Sequence, residues 1–379
     1  PGTPLIAETG GLNAMIVDST ALPEQAVRDI VASSFRSAGQ RCSALRCLYV
    51  QEDIAPHLIA MIKGAMDELR VGDPQSLATD VGPVIDAEAQ DGIEAYTDAN
   101  AARILHRVWA PKQGHFIAPV LLKVGGIKDM DREVFGPVLH VATFRADQLD
   151  RVIADINARG YGLTFGLHTR IDSRVQEVTE AIHAGNIYVN RNQIGAVVGS
   201  QPFGGEGLSG TGPKAGGPLY LTRFYAPEPV TAGTEWARHA DSRVLSKAAA
   251  GFTETPVSEQ IMPGPTGELN RLTILARSAV LCLGPGAETV KAQVAAVEAL
   301  GGHALAVDGY LTPEALTAIE GISAAIWWGD AEAGRAYTRA LALRKGPITP
   351  LITARPDQAH VAHERHLCVD TTAAGGNAA

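Results

Sequence analysis

Short apolar runs alternate with amphipathic stretches of helical period along this chain, and that alternation limits its fold more than any other feature. Within residues 21–37 the apolar positions Val27, Ile30, Val31 and Phe35 recur at the helical period, and Pro23 suits a first turn. Residues 45–50 form a short apolar run, as expected of a buried strand. Residues 56–70 carry Leu58, Ile59, Ile62, Ala65, Met66 and Leu69 on one face and stop at Gly72-Asp73-Pro74. The pattern then predicts a helix over 87–103 and strands over 104–108, 115–124 and 138–144. A helix over 147–158, a strand over 163–169, a helix over 173–184 and a strand over 186–190 follow. Strands and helices in alternation imply an α/β fold built on a sheet.

Composition changes after Phe224. Residues 226–265 are rich in Pro, Gly, Thr and Ala with weak periodicity, which reads as a linker or extended arm. A second α/β pattern follows: strand 279–283, the turn Gly284-Pro285-Gly286, helix 288–300, strand 303–307, helix 313–320 and strand 324–328. At 379 residues there is room for two or three domains, and 46% apolar with 19% charged residues is ordinary globular composition. A net charge of −9 without a long basic run argues against nucleic acid as partner. No apolar stretch reaches membrane-spanning length. The cysteines Cys42, Cys47, Cys282 and Cys368 lie far apart, which suits reduced thiols and a cytoplasmic location. No CxxC or HExxH pattern points to a metal, and no repeat of solenoid period is present. No signal peptide is expected, although a chain starting Pro1-Gly2-Thr3 leaves targeting open.

Four short motifs carry chemistry. In Gly39-Gln40-Arg41-Cys42-Ser43-Ala44 a cysteine follows a helix closely, Gly39 permits a tight turn and Arg41 adds positive charge, which suits an activated thiolate. The bland alternative is a small cysteine packed under a helix end, and on the hexapeptide alone the two are even. Cys47 sits in the apolar run and reads as structural. Glu8, before Thr9-Gly10-Gly11, is a carboxylate on permissive backbone and could activate water; without Cys42 it would read as a surface residue in a turn. Glu133-Val134-Phe135-Gly136-Pro137 offers a carboxylate for ribose hydroxyls and an aromatic to wall a nicotinamide, or simply a strand entry. Pro202-Phe203-Gly204-Gly205 follows the loop Gln193-Ile194-Gly195-Ala196-Val197-Val198-Gly199-Ser200, whose open N–H groups could bind a carboxylate or merely form a surface loop.

Together these motifs, in this order and spacing, resemble the aldehyde dehydrogenase superfamily. Glu8-Thr9-Gly10-Gly11-Leu12-Asn13-Ala14 and Gln193-Ile194-Gly195-Ala196-Val197-Val198-Gly199 narrow the likeness. They resemble the glutamate γ-semialdehyde (pyrroline-carboxylate) dehydrogenase module of bifunctional proline utilization A enzymes, over about the first sixty per cent of the chain. The remainder resembles the extra C-terminal domain of longer members, and Thr371-Thr372-Ala373-Ala374-Gly375-Gly376-Asn377 resembles the motif near their C-termini. The resemblance implies an aldehyde dehydrogenase catalytic domain present as a partial module, followed by a Rossmann-like α/β domain. Residues 1–9 would end a truncated NAD-binding domain, 10–192 form the catalytic domain, and 193–226 the aldehyde-anchor loop and return toward the cofactor domain. Residues 227–270 would be a linker or arm, and 271–379 the Rossmann-like domain. It further implies Cys42 as nucleophile and Glu8 as general base. Glu133 and Phe135 would hold NAD. Ser43, Gly195 and Ala196 would hold the substrate carboxylate, and Phe203 its aliphatic chain. The oxyanion would lean partly on the Cys42 N–H. In the longer enzymes FAD serves an upstream proline dehydrogenase, and the intermediate passes through a channel that the extra domain could help cover. The cofactor-binding residues that the family places before Glu8 would belong to a missing N-terminal part, so this chain alone is expected to bind NAD poorly; a homo-oligomer is conceivable. The rivals are a dehydrogenase for another carboxylated aldehyde of succinate-semialdehyde type, and a non-catalytic scaffold.

Three features stand apart. Val280-Leu281-Cys282-Leu283-Gly284-Pro285-Gly286 suggests a dinucleotide turn, with Asp308 as a ribose-binding acid. Thr289 replaces the third glycine and Pro285 removes an N–H, so a domain without a working nucleotide site is favoured. His360, His363 and His366 at spacing three could share a helix face, although Glu364 and Arg365 favour a solvated polar segment. Trp327-Trp328 reads as core or interface.

Overall fold

The computed structural model describes residues 5–225, 227–233 and 235–374, and the chain divides into two compact units. One comprises residues 10–201, 262–270 and 367–379. Its sheet runs in the order Asn186–Val189, Thr164–His168, Ala14–Val17, Cys47–Gln51, Val138–Phe144, Val120–Lys123 and Ile104–Arg107. All neighbours are parallel except the last pair. Beyond Asn186–Val189 the order continues with the parts of strands Ala362–Asp370 and Glu268–Ala276 that belong to this unit.

A parallel sheet covered on both faces needs apolar side chains pointing both ways. Met15 and Val17 enter one core with Leu48, Val50, Ile30, Leu58 and Ile62. Ala14 and Ile16 enter the other with Tyr49, Phe165, Leu167, Ile153 and Val178. Helices Pro23–Phe35 and Ala55–Asp67 cover the first face; Leu149–Asn157 and Asp172–Ala181 cover the second. Pro23 occupies the first turn of its helix, as its missing N–H allows.

The other unit comprises residues 1–9, 202–261 and 271–366. It holds a four-stranded parallel sheet in the order Ala304–Ala306, Ala279–Cys282, Ile322–Ile326 and Leu351–Ile352. Here too alternate residues divide between two cores, Ala279 and Leu281 on one side and Val280 and Cys282 on the other. Helices Ala287–Glu298 and Ala331–Ala342 accompany it. The α/β class expected from the alternation is the class observed.

Two expectations need revision. The stretch read as linker or arm contains helix Ser242–Ala249 and strand Thr255–Met262, the latter largely exposed and so without an apolar run to mark it. The histidine run is not one helical face: His360 lies in the short helix Gln358–Val361, while His363 and His366 belong to strand Ala362–Asp370. Nor is it solvated, for Glu364 is 4% and His366 0% exposed. The charges there are paired: Arg365 donates to Glu206 Oε1 at 2.6 Å and Glu254 Oε2 at 3.1 Å, and His363 lies 3.4 Å from Glu254. Among the described residues no group of three acidic, histidine or cysteine side chains is placed to hold a metal, and no helix is long and apolar enough to cross a membrane.

Candidate active site

The helix Pro23–Phe35 gives way to the turn Arg36–Gly39, in which Ser37, Ala38 and Gly39 all have positive φ, at 55°, 53° and 65°. Such values are ordinary for glycine and costly for Ser and Ala. The reversal delivers Cys42 to an exposed position, whereas Cys47, Cys282 and Cys368 are buried. Burial drives the Cys282 thiol up to about 12 and the Cys368 thiol up to about 11, and raises that of Cys47 further still. Asn13, 2% exposed, fixes the backbone around Cys42. Its Nδ2 donates to the carbonyls of Cys42 at 2.6 Å and Ala44 at 2.9 Å, while its Oδ1 accepts from Thr164 N.

Glu133 and Phe135 lie on the turn before strand Val138–Phe144. The Glu133 carboxylate receives Arg46 Nη2 at 3.0 Å on Oε1 and the Gly11 N–H at 3.1 Å on Oε2. A Cβ at Gly10 would stand 2.6 Å from Oε2, so the Gly10-Gly11 pair is what lets this backbone close on the carboxylate. Phe135 keeps 46% of its surface exposed.

The loop after strand Asn186–Val189 starts at the buried Gln193, whose Nε2 donates to the Ser43 carbonyl at 3.3 Å and lies 3.2 Å from Thr164 Oγ1. Two residues on, Gly195 has φ of +75°, and a Cβ there would lie 3.8 Å from Arg41 Nη1. One unit thus gathers Cys42, Ser43, Glu133, Phe135 and the Gly195-Ala196 loop, linked through Asn13, Arg46, Gln193 and Arg41. Ser43 itself is 4% exposed.

Glu8 and Phe203 belong to the other unit. Glu8 bridges Gly210 and Phe203 bridges Ala215, each antiparallel. A Cβ at Gly204 would meet Glu8 Oε1 and Lys214 Cγ, both at 3.4 Å. Lys214 is 2% exposed, and its Nζ donates to the Gly204 carbonyl while its backbone N–H donates to Glu364 Oε2 at 2.7 Å. Burial pulls the lysine down to about 8, against the opposing influence of Glu364, Glu206 and Glu8. Desolvation raises the Glu8 carboxyl above its ordinary value, outweighing the pull of Lys214 and a hydrogen bond from Gly205.

Four residues that sequence reasoning passed over hold these groups: Asn13, Arg46, Gln193 and Lys214. Arg46 was visible as the one charge inside the apolar run 45–50.

The dinucleotide-like turn is closed from within its own unit. Gln293 bonds both the N–H and the carbonyl of Gly284 at 2.9 Å. Trp236 Nε1 donates to the Leu283 carbonyl at 3.1 Å, and its ring lies 3.2 Å from where a Gly284 Cβ would stand. Asp308 is held by Arg238 Nη2 at 2.7 Å. Val230 N–H donates to Thr353 O and Ala232 N–H to Trp328 O. Residues of one stretch therefore occupy the carboxyl ends of the four parallel strands, where such a fold takes its ligand. Of the C-terminal Thr371-to-Asn377 motif, the last three residues lie outside the described ones.

The aldehyde dehydrogenase family profile matches residues 1–229. The bifunctional protein PutA of Salmonella typhimurium is 43% identical, over 99% of this chain and 33% of that protein. Among solved structures, a mutant of Bradyrhizobium japonicum proline utilization A (PutA) is 56% identical, covering 58% of this chain and 23% of that one, with a TM-score of 0.57. A 1-pyrroline-5-carboxylate dehydrogenase from Thermus with bound NAD is 33% identical over 58% of this chain and 43% of its own, at a TM-score of 0.54. The chain spans about a third of the length of the PutA relative.

Proposed function

The chain belongs to the aldehyde dehydrogenase family, and from that premise we propose that it oxidises glutamate γ-semialdehyde to glutamate, using NAD, as the dehydrogenase part of a longer proline-catabolising enzyme. The observation that carries this reading is the exposed Cys42 on a turn that Arg46 links by hydrogen bonds to Glu133, with the neighbouring Arg41 beside Gly195.

The residues present fit the nicotinamide-ribose half of the cofactor. Glu133 offers a carboxylate to ribose hydroxyl donors, and Phe135 offers an exposed ring to a flat heterocycle. NAD, when bound, supplies the hydride acceptor that turns a thiohemiacetal into a thioester. The Cys42 thiolate attacks the aldehyde carbon and carries the acyl group. The backbone N–H of Cys42 takes part of the oxyanion charge. Ser43 and the N–H groups of Gly195 and Ala196 hold the substrate's α-carboxylate, and Phe203 packs on its methylene chain. Glu8 then takes a proton from water, which releases glutamate; its raised carboxyl brings its basicity nearer to neutral pH. Residues 10–192 carry the thiol half of the chemistry, and residues 271–366 form a Rossmann-like part without a nucleotide of its own; residues 367–379, expected to close that domain, fall instead in the unit of Cys42.

The test is a comparison of kcat/KM for glutamate γ-semialdehyde and succinate semialdehyde in the intact protein, with Cys42→Ala as control. Preference for the amino-acid aldehyde, abolished by Cys42→Ala, supports the proposal. Equal use of both, or turnover surviving Cys42→Ala, overturns it.

A further inference from the structure

Arg46 is 0% exposed, and a buried guanidinium is costly unless its donors are satisfied. Its partners fall on two separate turns. On the cysteine-bearing turn, Nη1 donates to the Gly39 carbonyl at 2.7 Å and Nη2 to the Arg41 carbonyl at 3.0 Å. On the other turn, Nη1 reaches the Gly136 carbonyl at 3.3 Å, and Nη2 and Nε reach Glu133 Oε1 at 3.0 and 3.3 Å. The guanidinium carbon also stands 5.2 Å from the Phe135 ring centre. One planar cation thus spans both sides, which a lysine ammonium of the same charge cannot do.

We propose that Arg46 is a positioning residue for aldehyde oxidation, locking the Cys42 loop to the Glu133–Phe135 turn so that nucleophile and nicotinamide ribose meet in fixed register. The proposal rests on the reading of Cys42 as nucleophile and Glu133 as ribose ligand. Its charge has a second effect. Arg46 and Cys42 interact electrostatically, though less than Arg46 and Glu133 do, and a cation near a thiol favours its reactive thiolate form. Among the described charged groups at this loop, Arg36 lies on the turn itself, Arg41 donates to Ser37 Oγ at 3.1 Å, and Glu133 offsets part of the Arg46 charge.

Position and charge separate experimentally in the intact protein. Iodoacetamide alkylation of Cys42, followed by mass spectrometry across pH, reads the thiolate without any turnover. Arg46→Met is expected to slow alkylation at neutral pH roughly tenfold, equivalent to about one unit in thiol pKa. It should also lower kcat/KM on the order of 100-fold through misplacement. Arg46→Lys should restore alkylation to within about threefold of wild type while leaving the KM for NAD raised roughly tenfold, because charge returns and the fork does not. If Arg46→Met does not fold, Arg46→Lys decides: an unchanged KM for NAD overturns the positioning role. If wild-type Cys42 alkylates no faster than a free thiol and Cys42→Ala keeps turnover, the reading of the site fails and the proposal with it. Fast alkylation and loss of turnover in Cys42→Ala, with both Arg46 variants matching wild type, overturns the role of Arg46 alone.

Discussion

A methyl group on Gly39 would lie 2.1 Å from the carbonyl oxygen of Gly136. The two turns that carry Cys42 and Glu133 therefore touch backbone to backbone, and Gly39 also sits at φ +65°. Gly39→Ala meets a steric and a conformational penalty at once. We expect a loss of about 3 kcal/mol in urea unfolding, with slower alkylation of Cys42. A loss below about 1 kcal/mol would mean that the turns part easily.

Glu8→Gln should leave acylation of Cys42 largely intact and block hydrolysis of the resulting thioester. Pre-steady-state kinetics should show a full burst of NADH followed by a steady rate reduced on the order of 100-fold or more. Lys214 lowers the Glu8 carboxyl, so Lys214→Met should move the acid limb of steady turnover to higher pH. A limb that stays in place, or moves to lower pH, contradicts the assignment of the base.

His168 is 1% exposed and held near 4 by burial, against an unfolded value near 6.5. Its folded value is depressed, so the stability it contributes is complete above pH 6.5 and is lost as pH falls toward 4. Between pH 7 and pH 5 this one side chain removes about 2 kcal/mol. The unfolding free energy of His168→Gln should fall by about that much less than wild type over the same interval. Parallel pH profiles for the two proteins would remove His168 from the account.

Calorimetric titration of the intact protein with NAD should give one site per chain. Trp236, Arg238 and Gln293 already fill the second Gly-rich turn and the end of its strand. A second site with micromolar affinity that survives Glu133→Ala would show that these contacts give way to a ligand.

Apolar runs and the helical period revealed most of the fold, because strands buried on both faces read as continuous apolar stretches. Residues 138–144 were delimited as strand by their apolar run, and Val138–Phe144 is the strand found. Ala362–Asp370 was illegible for a physical reason: its first half buries Glu364 and His366, so only Leu367-Cys368-Val369 offers an apolar run, too short to mark the strand. At the candidate site, the motifs named the groups that would face a ligand. The residues behind them could not be read, since Asn13, Arg46 and Gln193 act through carbonyls supplied by distant backbone. Such partnerships exist only after the chain has folded.

The turn Ser37-Ala38-Gly39 also has a stereochemical consequence. Three successive residues with positive φ trace a short piece of the mirror image of the helix that precedes them. At Ala38 the protein's own chirality works against its shape, so a D-alanine placed there by chemical synthesis should be accepted more readily than the natural L-residue. The same replacement within Pro23–Phe35 should break the helix. The thiol that proposes itself as nucleophile is thus delivered by a segment of inverted hand.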